Sequence, residues 1–121
     1  MPEKLKITSY PCKDWLGKSY LLINNRQINL LEISDHYQQK LGWEKITHDL
    51  IKEFVKQLDN DRFIAERRKG NWEYYKFEPV YYKDKTYKMI WCLKDRVSLI
   101  RIRTCHRTKK KYTKIKYDGK E

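Results

Sequence analysis

The stretch from Val97 to Arg107, Val-Ser-Leu-Ile-Arg-Ile-Arg-Thr-Cys-His-Arg, limits what this chain can fold into more than any other. Side chains alternate faces along a strand. Ser98, Ile100, Ile102 and Thr104 would then share one face, and Val97, Leu99, Arg101, Arg103, Cys105 and Arg107 the other. An apolar face covers a core, while a row of guanidinium groups must meet solvent, carboxylates or phosphates. The pattern predicts a strand near the centre of a sheet, with Ile100 and Ile102 facing a helix and the arginines facing a polyanion. His106 follows at its end, and then Lys109, Lys110, Lys111 and Tyr112.

Charge reinforces this asymmetry. The chain has 121 residues and a formal net charge of +12. Residues 96–121 hold ten Lys or Arg against two acids, whereas residues 1–95 hold eighteen against fourteen. Solubility alone would not need such clustering, so RNA, or alternatively DNA, is the expected partner. The length suits one domain with a single core, expected over residues 1–107, with 108–121 as a basic tail or an edge strand. Cys12, Cys92 and Cys105 are widely spaced and form no Cys-x-x-Cys pair, which argues against a zinc ribbon or a disulfide scaffold and for a reducing cytoplasm. Met-Pro-Glu-Lys-Leu-Lys lacks the apolar core of a signal peptide, and no apolar run is long enough to span a membrane. The expectation is a cytoplasmic protein with no membrane partner.

Taken in order, the chain opens with a strand over Leu5–Tyr10 that Pro11 stops, and Trp15 then caps one end of the core. Ser19–Ile23 and Ile28–Ile33 form a hairpin around Asn24-Asn25-Arg26, since Asn tolerates the left-handed backbone of tight turns. Ser34 caps a short helix over Asp35–Leu41 that Gly42 ends. Thr47 caps a second helix, where Leu50, Ile51, Phe54, Val55 and Leu58 recur at helical spacing and Ile46 staples Ile51. Strands follow at Arg62–Arg67, Trp72–Phe77 and Thr86–Leu93, with an interruption at Pro79 and a turn at Lys83-Asp84-Lys85. This order predicts one α+β domain: N-terminal strands (1–33), a helix pair (34–58) packed on one face of a mostly antiparallel sheet, and a meander (62–107).

The residue types limit the chemistry. His36, His48 and His106 lie on separate elements without metal-ligand spacing, so neither a metal nor another cofactor is expected. Metal-free RNA cleavage through the substrate's own 2′-hydroxyl needs a proton acceptor, cations for the phosphorane and a proton donor. His106 is the candidate acid or base, since imidazole titrates near neutrality. His36 is a second such candidate, Tyr112 is a candidate to orient or donate a proton, and Arg101, Arg103 and Arg107 are candidates to hold phosphate. The competing readings are a strand-end His106 bonded to backbone, a helix-surface His36, an exposed His48, and arginines laddered to Glu73 or Glu78. Lys109, Lys110 and Lys111 would extend the nucleic-acid contact. Trp72, Tyr74, Tyr75, Tyr81, Tyr82, Tyr87 and Trp91 are candidate stacking platforms for bases, set against ordinary core packing.

Ile33-Ser34-Asp35-His36-Tyr37, then Lys40 and Ile46-Thr47, resembles the short-helix pair of BrnT-like toxins and their relatives in the RelE superfamily. Thr86-Tyr87-Lys88-Met89-Ile90-Trp91, with the strand ending Ile102-Arg103-Thr104-Cys105-His106-Arg107, is similar to the closing hairpin of those domains. The resemblance spans about Ile33 to Arg107, and the N-terminal strands are an addition to it. It implies a small α+β fold, metal-independent ribonuclease activity and a cognate antitoxin. The residues it nominates are His36, Arg101, Arg103, His106 and Arg107. A non-catalytic nucleic-acid-binding protein, and an inhibitory or antitoxin-like partner of an acidic protein, are the other readings these residues allow.

Overall fold

The structure, a computed structural model, describes residues 6–34 and 46–108. The strands are β1 (Ile7–Pro11), β2 (Leu21–Ile23), β3 (Arg26–Ile28), β4 (Leu30–Ser34), β5 (Arg67–Lys69), β6 (Trp72–Tyr82), β7 (Lys85–Lys94) and β8 (Leu99–Arg107). Among the described residues one α-helix, α1 (His48–Lys56), lies between β4 and β5. Six strands form one sheet in the order β1-β4-β8-β7-β6-β5, and β2 and β3 form a separate hairpin. All neighbours in the sheet run antiparallel except β4 and β8, which run parallel. The class is α+β.

Helix α1 begins where its capping residue dictates. Thr47 is extended, and its hydroxyl accepts a hydrogen bond from the Leu50 N–H at 3.1 Å, satisfying one of the donors that a helix start leaves open. Ile51, Phe54, Val55 and Leu58 are fully buried, and Ile46 is nearly so. Phe54 sets its ring 4.8 Å from Tyr87 and edge-on to Tyr82 at 5.7 Å. The same face of the sheet holds Trp91 stacked on Tyr75 at 4.2 Å, with Leu31, Ile33, Ile100 and Ile102 fully buried in that core. Hairpin β2–β3 adds Leu21, Ile23 and Ile28 to it. Its two-residue turn places Asn24 and Asn25 at φ 53° and 65°, the left-handed backbone that asparagine accepts most readily after glycine. The expected central strand and its apolar side are therefore as the alternation implied, with β8 third across the sheet.

Of the expected helix pair, α1 is the one α-helix among the described residues, and the helix expected over Asp35–Leu41 lies outside them. Several other expectations need correction. Ile28–Ile33 is not one strand: Ile28 ends the hairpin, while Leu30 enters the main sheet beside Leu99. Asn29 makes the switch, donating its N–H to the Ser98 carbonyl at 3.0 Å while its own carbonyl accepts from Cys12 at 2.9 Å. Strand β6 does not stop at Pro79 but runs on to Tyr82, absorbing the proline in a register shift between Phe77 and Val80. A proline has no N–H for a ladder, and a bulge is where a strand tolerates one.

Arg62–Arg67 is not a strand either, since only Arg67 belongs to β5. Asp61 makes a lone bridge to Ile23, and the Phe63 N–H donates to the Asn24 side chain at 2.6 Å. Phe63 still packs edge-on against Trp91 at 5.3 Å, while Ile64 is 93% exposed. An extended coil with one side on the core carries the same alternation as a strand.

Candidate functional site

With α1, the hairpin and the Phe63 segment all on the Trp91 side, no described element packs on the other face of the sheet. Pairing across the strands sets out what that open face presents. One row reads Arg67 (β5), Tyr74 (β6), Cys92 (β7), Arg101 (β8), Glu32 (β4) and Ser9 (β1), each aligned with the next. Beside it lie Lys69, Trp72 and Lys94 on one flank, and Lys76, Ile90 and Thr104 on the other. Lys88 and His106 form the next aligned pair.

Two rings and four cations interlock on this face. The Arg101 guanidinium carbon lies 4.6 Å from the Trp72 ring centroid, and the Lys94 ammonium lies 5.5 Å from it. Arg67 and Arg103 stand 4.9 Å and 5.9 Å from the Tyr74 centroid. These separations permit a cation–π attraction of ~0.5–1 kcal/mol each at half-exposed sites. Arg101 and Arg103 project from β8, two strands from β6, a gap of about 10 Å. They reach across because the residue between is the small Cys92. Cys92 is fully buried although it faces away from the main core. Burial pushes its thiol up to about 11, and the nearby Arg103 and Arg101 oppose that rise without cancelling it. It is thus a covered filler beneath the guanidinium groups rather than a reactive thiol.

The competing reading, a ladder from these arginines to Glu73, does not hold for Arg101 and Arg103. Glu73 faces the opposite side, where its carboxylate accepts from Arg26 at 2.7 Å, Arg68 at 3.3 Å and the Tyr75 hydroxyl at 3.0 Å. The carboxylate that meets Arg101 is Glu32, which accepts from its Nε at 2.8 Å and lies 2.8 Å from its Nη2. Lys76 lies 3.6 Å from Glu66. Arg67, Lys69, Lys88, Lys94 and Arg103 face no carboxylate partner among the described residues.

The alternation that placed Arg107 beside Arg101 and Arg103 fails at one point. Ile90 pairs with Thr104 but Trp91 pairs with Ile102, so Arg103 is an extra residue bulged out of β8. Beyond it every side chain changes face. Cys105 is fully buried in the core, and Arg107 aligns with the core residue Tyr87. Thr104 and His106 move to the open face instead. His106 therefore shares a face with Arg101, whereas Arg107 does not. His36, Tyr112, Lys109, Lys110 and Lys111 lie outside the described residues.

His48, expected to be exposed, is half-buried. Its Nδ1 shares a 2.6 Å hydrogen bond with the Tyr10 hydroxyl, and the Lys52 ammonium sits 3.9 Å from the Tyr10 ring centroid. This cluster ties α1 to β1 on the core side, away from the open face. Among the described residues, no three His, Cys, Asp or Glu side chains come together to hold a metal ion, and no helix is long and apolar enough to cross a membrane.

Sequence reasoning missed Arg67, Lys69, Lys94 and Glu32 as members of the site, and it did not separate Trp72 and Tyr74 from the other aromatics. A signal for the latter was present. Trp72, Tyr74 and Lys76 alternate with the core residues Tyr75 and Phe77, and a lysine in phase marks the solvent side. No family model, curated protein or solved structure matches the chain.

Proposed function

We propose that the open face of the sheet binds nucleic acid. The observation that carries this reading is the aligned set of Trp72 and Tyr74 among Arg67, Lys69, Lys94, Arg101 and Arg103. Aromatic faces attract bases and cations attract phosphates, and this surface offers both across four adjacent strands, β5 to β8. Arg101, held by Glu32, serves to position rather than to neutralise phosphate. Arg67, Lys69, Lys88, Lys94 and Arg103 are the cations whose charge remains for it.

The test is a titration of the protein with fluorescently labelled RNA and DNA oligonucleotides over a range of salt. Each phosphate contact releases condensed counterions, so affinity should fall steeply as salt rises. Arg103→Glu combined with Lys94→Glu should weaken binding strongly while leaving the circular-dichroism spectrum unchanged. Salt-independent binding, or none to any oligonucleotide, would sink the reading and give the face to an acidic protein partner instead.

A second reading, metal-independent RNA cleavage, is favoured by the place of His106 on the same face as Arg101 and Thr104, aligned with Lys88. An imidazole beside an ammonium group on a phosphate-binding surface meets the minimum for proton transfer to or from a 2′-hydroxyl. Labelled RNA incubated in EDTA with wild type and with His106→Ala decides it. Cleavage that persists in EDTA and drops on substitution establishes the enzyme. Bound but intact RNA with both proteins leaves the binding function alone.

A further inference from the structure

Resting on the nucleic-acid reading of the open face, the strand state of the ligand can be taken further. We infer that the ligand is a single strand, and that two consecutive unpaired bases stack on Trp72 and Tyr74. Trp72 and Tyr74 sit two positions apart on β6 and on the same face, since Trp72 aligns with Lys94 and Tyr74 with Cys92. Residues so placed are separated by about 6.6–6.8 Å along a strand. Bases in a duplex are stacked about 3.4 Å apart. Neighbouring bases can reach both rings only by opening to about twice their stacked spacing. A single strand does this readily, whereas a duplex must break both stacking and pairing.

The surroundings of the rings point the same way. Each ring has guanidinium or ammonium groups close by, Arg101 and Lys94 at Trp72 and Arg67 and Arg103 at Tyr74. A planar guanidinium stacks on a base as well as on an aromatic ring, so an incoming base can stack on the outer plane of a guanidinium that lies on a ring or take its place there. Glu32 holds Arg101 in that orientation at 2.8 Å. The platforms also lie on the exposed side of the sheet: Trp72 and Tyr74 are half-buried, while Tyr75 and Trp91 beneath them are nearly or fully buried. Bases and phosphates are common to RNA and DNA, and both belong in the test.

The experiment compares 12-nucleotide oligo-U RNA, oligo-dT DNA and a 12-base-pair duplex, by anisotropy, against wild type, Trp72→Ala, Tyr74→Ala, Trp72→Phe and Arg103→Glu. Wild type should bind at least one single strand more than tenfold tighter than the duplex. Either alanine variant should lose about tenfold in single-strand affinity with the salt dependence unchanged, because a ring releases no counterions. Arg103→Glu should instead flatten the salt dependence. Trp72→Phe keeps a ring and should recover most of the loss, which separates stacking from misfolding. Duplex bound as tightly as both single strands, or alanine variants that bind like wild type, would overturn the inference while the nucleic-acid reading stands. Failure of wild type to bind any of the three oligonucleotides would overturn both.

Discussion

Glu32 and Arg101 meet across the parallel β4–β8 pair, where a single carboxylate oxygen lies 2.8 Å from both Nε and Nη2 of the guanidinium. Their side chains are 15% and 22% exposed, so the pair is only partly screened by water. The same guanidinium lies over Trp72. Glu32 thus links the N-terminal part of the chain to the aromatic face built by the C-terminal part.

Glu32→Gln should have two opposite effects. Losing a charge-assisted bond at a half-buried site should lower stability by about 1–2 kcal/mol. Removing a carboxylate from the cationic face should at the same time tighten binding to oligonucleotides and steepen its salt dependence. Urea denaturation and anisotropy on one preparation read both. Weaker binding with unchanged stability would contradict the placement of this pair.

The packing of α1 is tested by Phe54→Ala. Phe54 is fully buried against Tyr82 and Tyr87, and its removal should destabilise the protein by about 3–5 kcal/mol. Thr47→Ala, which deletes the cap of the same helix, should cost about 0.5–2 kcal/mol. Equal losses from the two substitutions would mean that the ring is not packed as described.

Asp59 makes stability depend on acid. Burial alone would raise its pKa, but the Leu22 N–H, the Lys18 ammonium and the Asn60 N–H together hold its carboxyl below the usual carboxylate range. The folded state then releases this proton more readily than the unfolded state. Its stabilisation is complete above the ordinary carboxylate pKa of about 4 and is lost as pH falls through the depressed folded value. Urea midpoints between pH 2 and 6 should fall on acidification, and less so in Asp59→Asn. An identical slope in the variant would remove Asp59 from the account.

The three thiols should differ in what protects them. Burial pushes Cys12 and Cys92 up to about 11 and Cys105 to about 12, so none should react quickly with a thiol reagent at pH 8. Cys12 and Cys105 belong to the main core, whereas Cys92 lies on the open face beneath Arg101 and Arg103. Arg101→Ala should therefore release one fast-reacting thiol, and adding Cys92→Ser should abolish it. Losing the cation removes a minor influence that favoured the thiolate, but exposure relieves the larger one. An unchanged rate would mean that something other than the arginine covers Cys92.

Much of the fold is local information. Thr47 and the stripe from Ile51 to Leu58 specify a helix start and its buried face from within a dozen residues, because capping and helical periodicity are short-range. Asn24-Asn25 specifies its turn in the same way, through a backbone conformation that most side chains resist. Ile100 and Ile102 specify which side of β8 meets the core. Phase, partners and faces are different, because they depend on residues far away in the chain. The bulge at Arg103 reverses the faces of Cys105, His106 and Arg107, and it exists only because β7 must pair with β8 on both sides of it. Glu32 finds Arg101 only because β4 lies parallel to β8, a neighbour 69 residues away in sequence. Trp72 and Tyr74 look like any other strand aromatics until the Trp91 face is filled from the other side by α1 and the hairpin. Alternation divides a strand into two faces. Only the packing of the whole chain decides which face is left open.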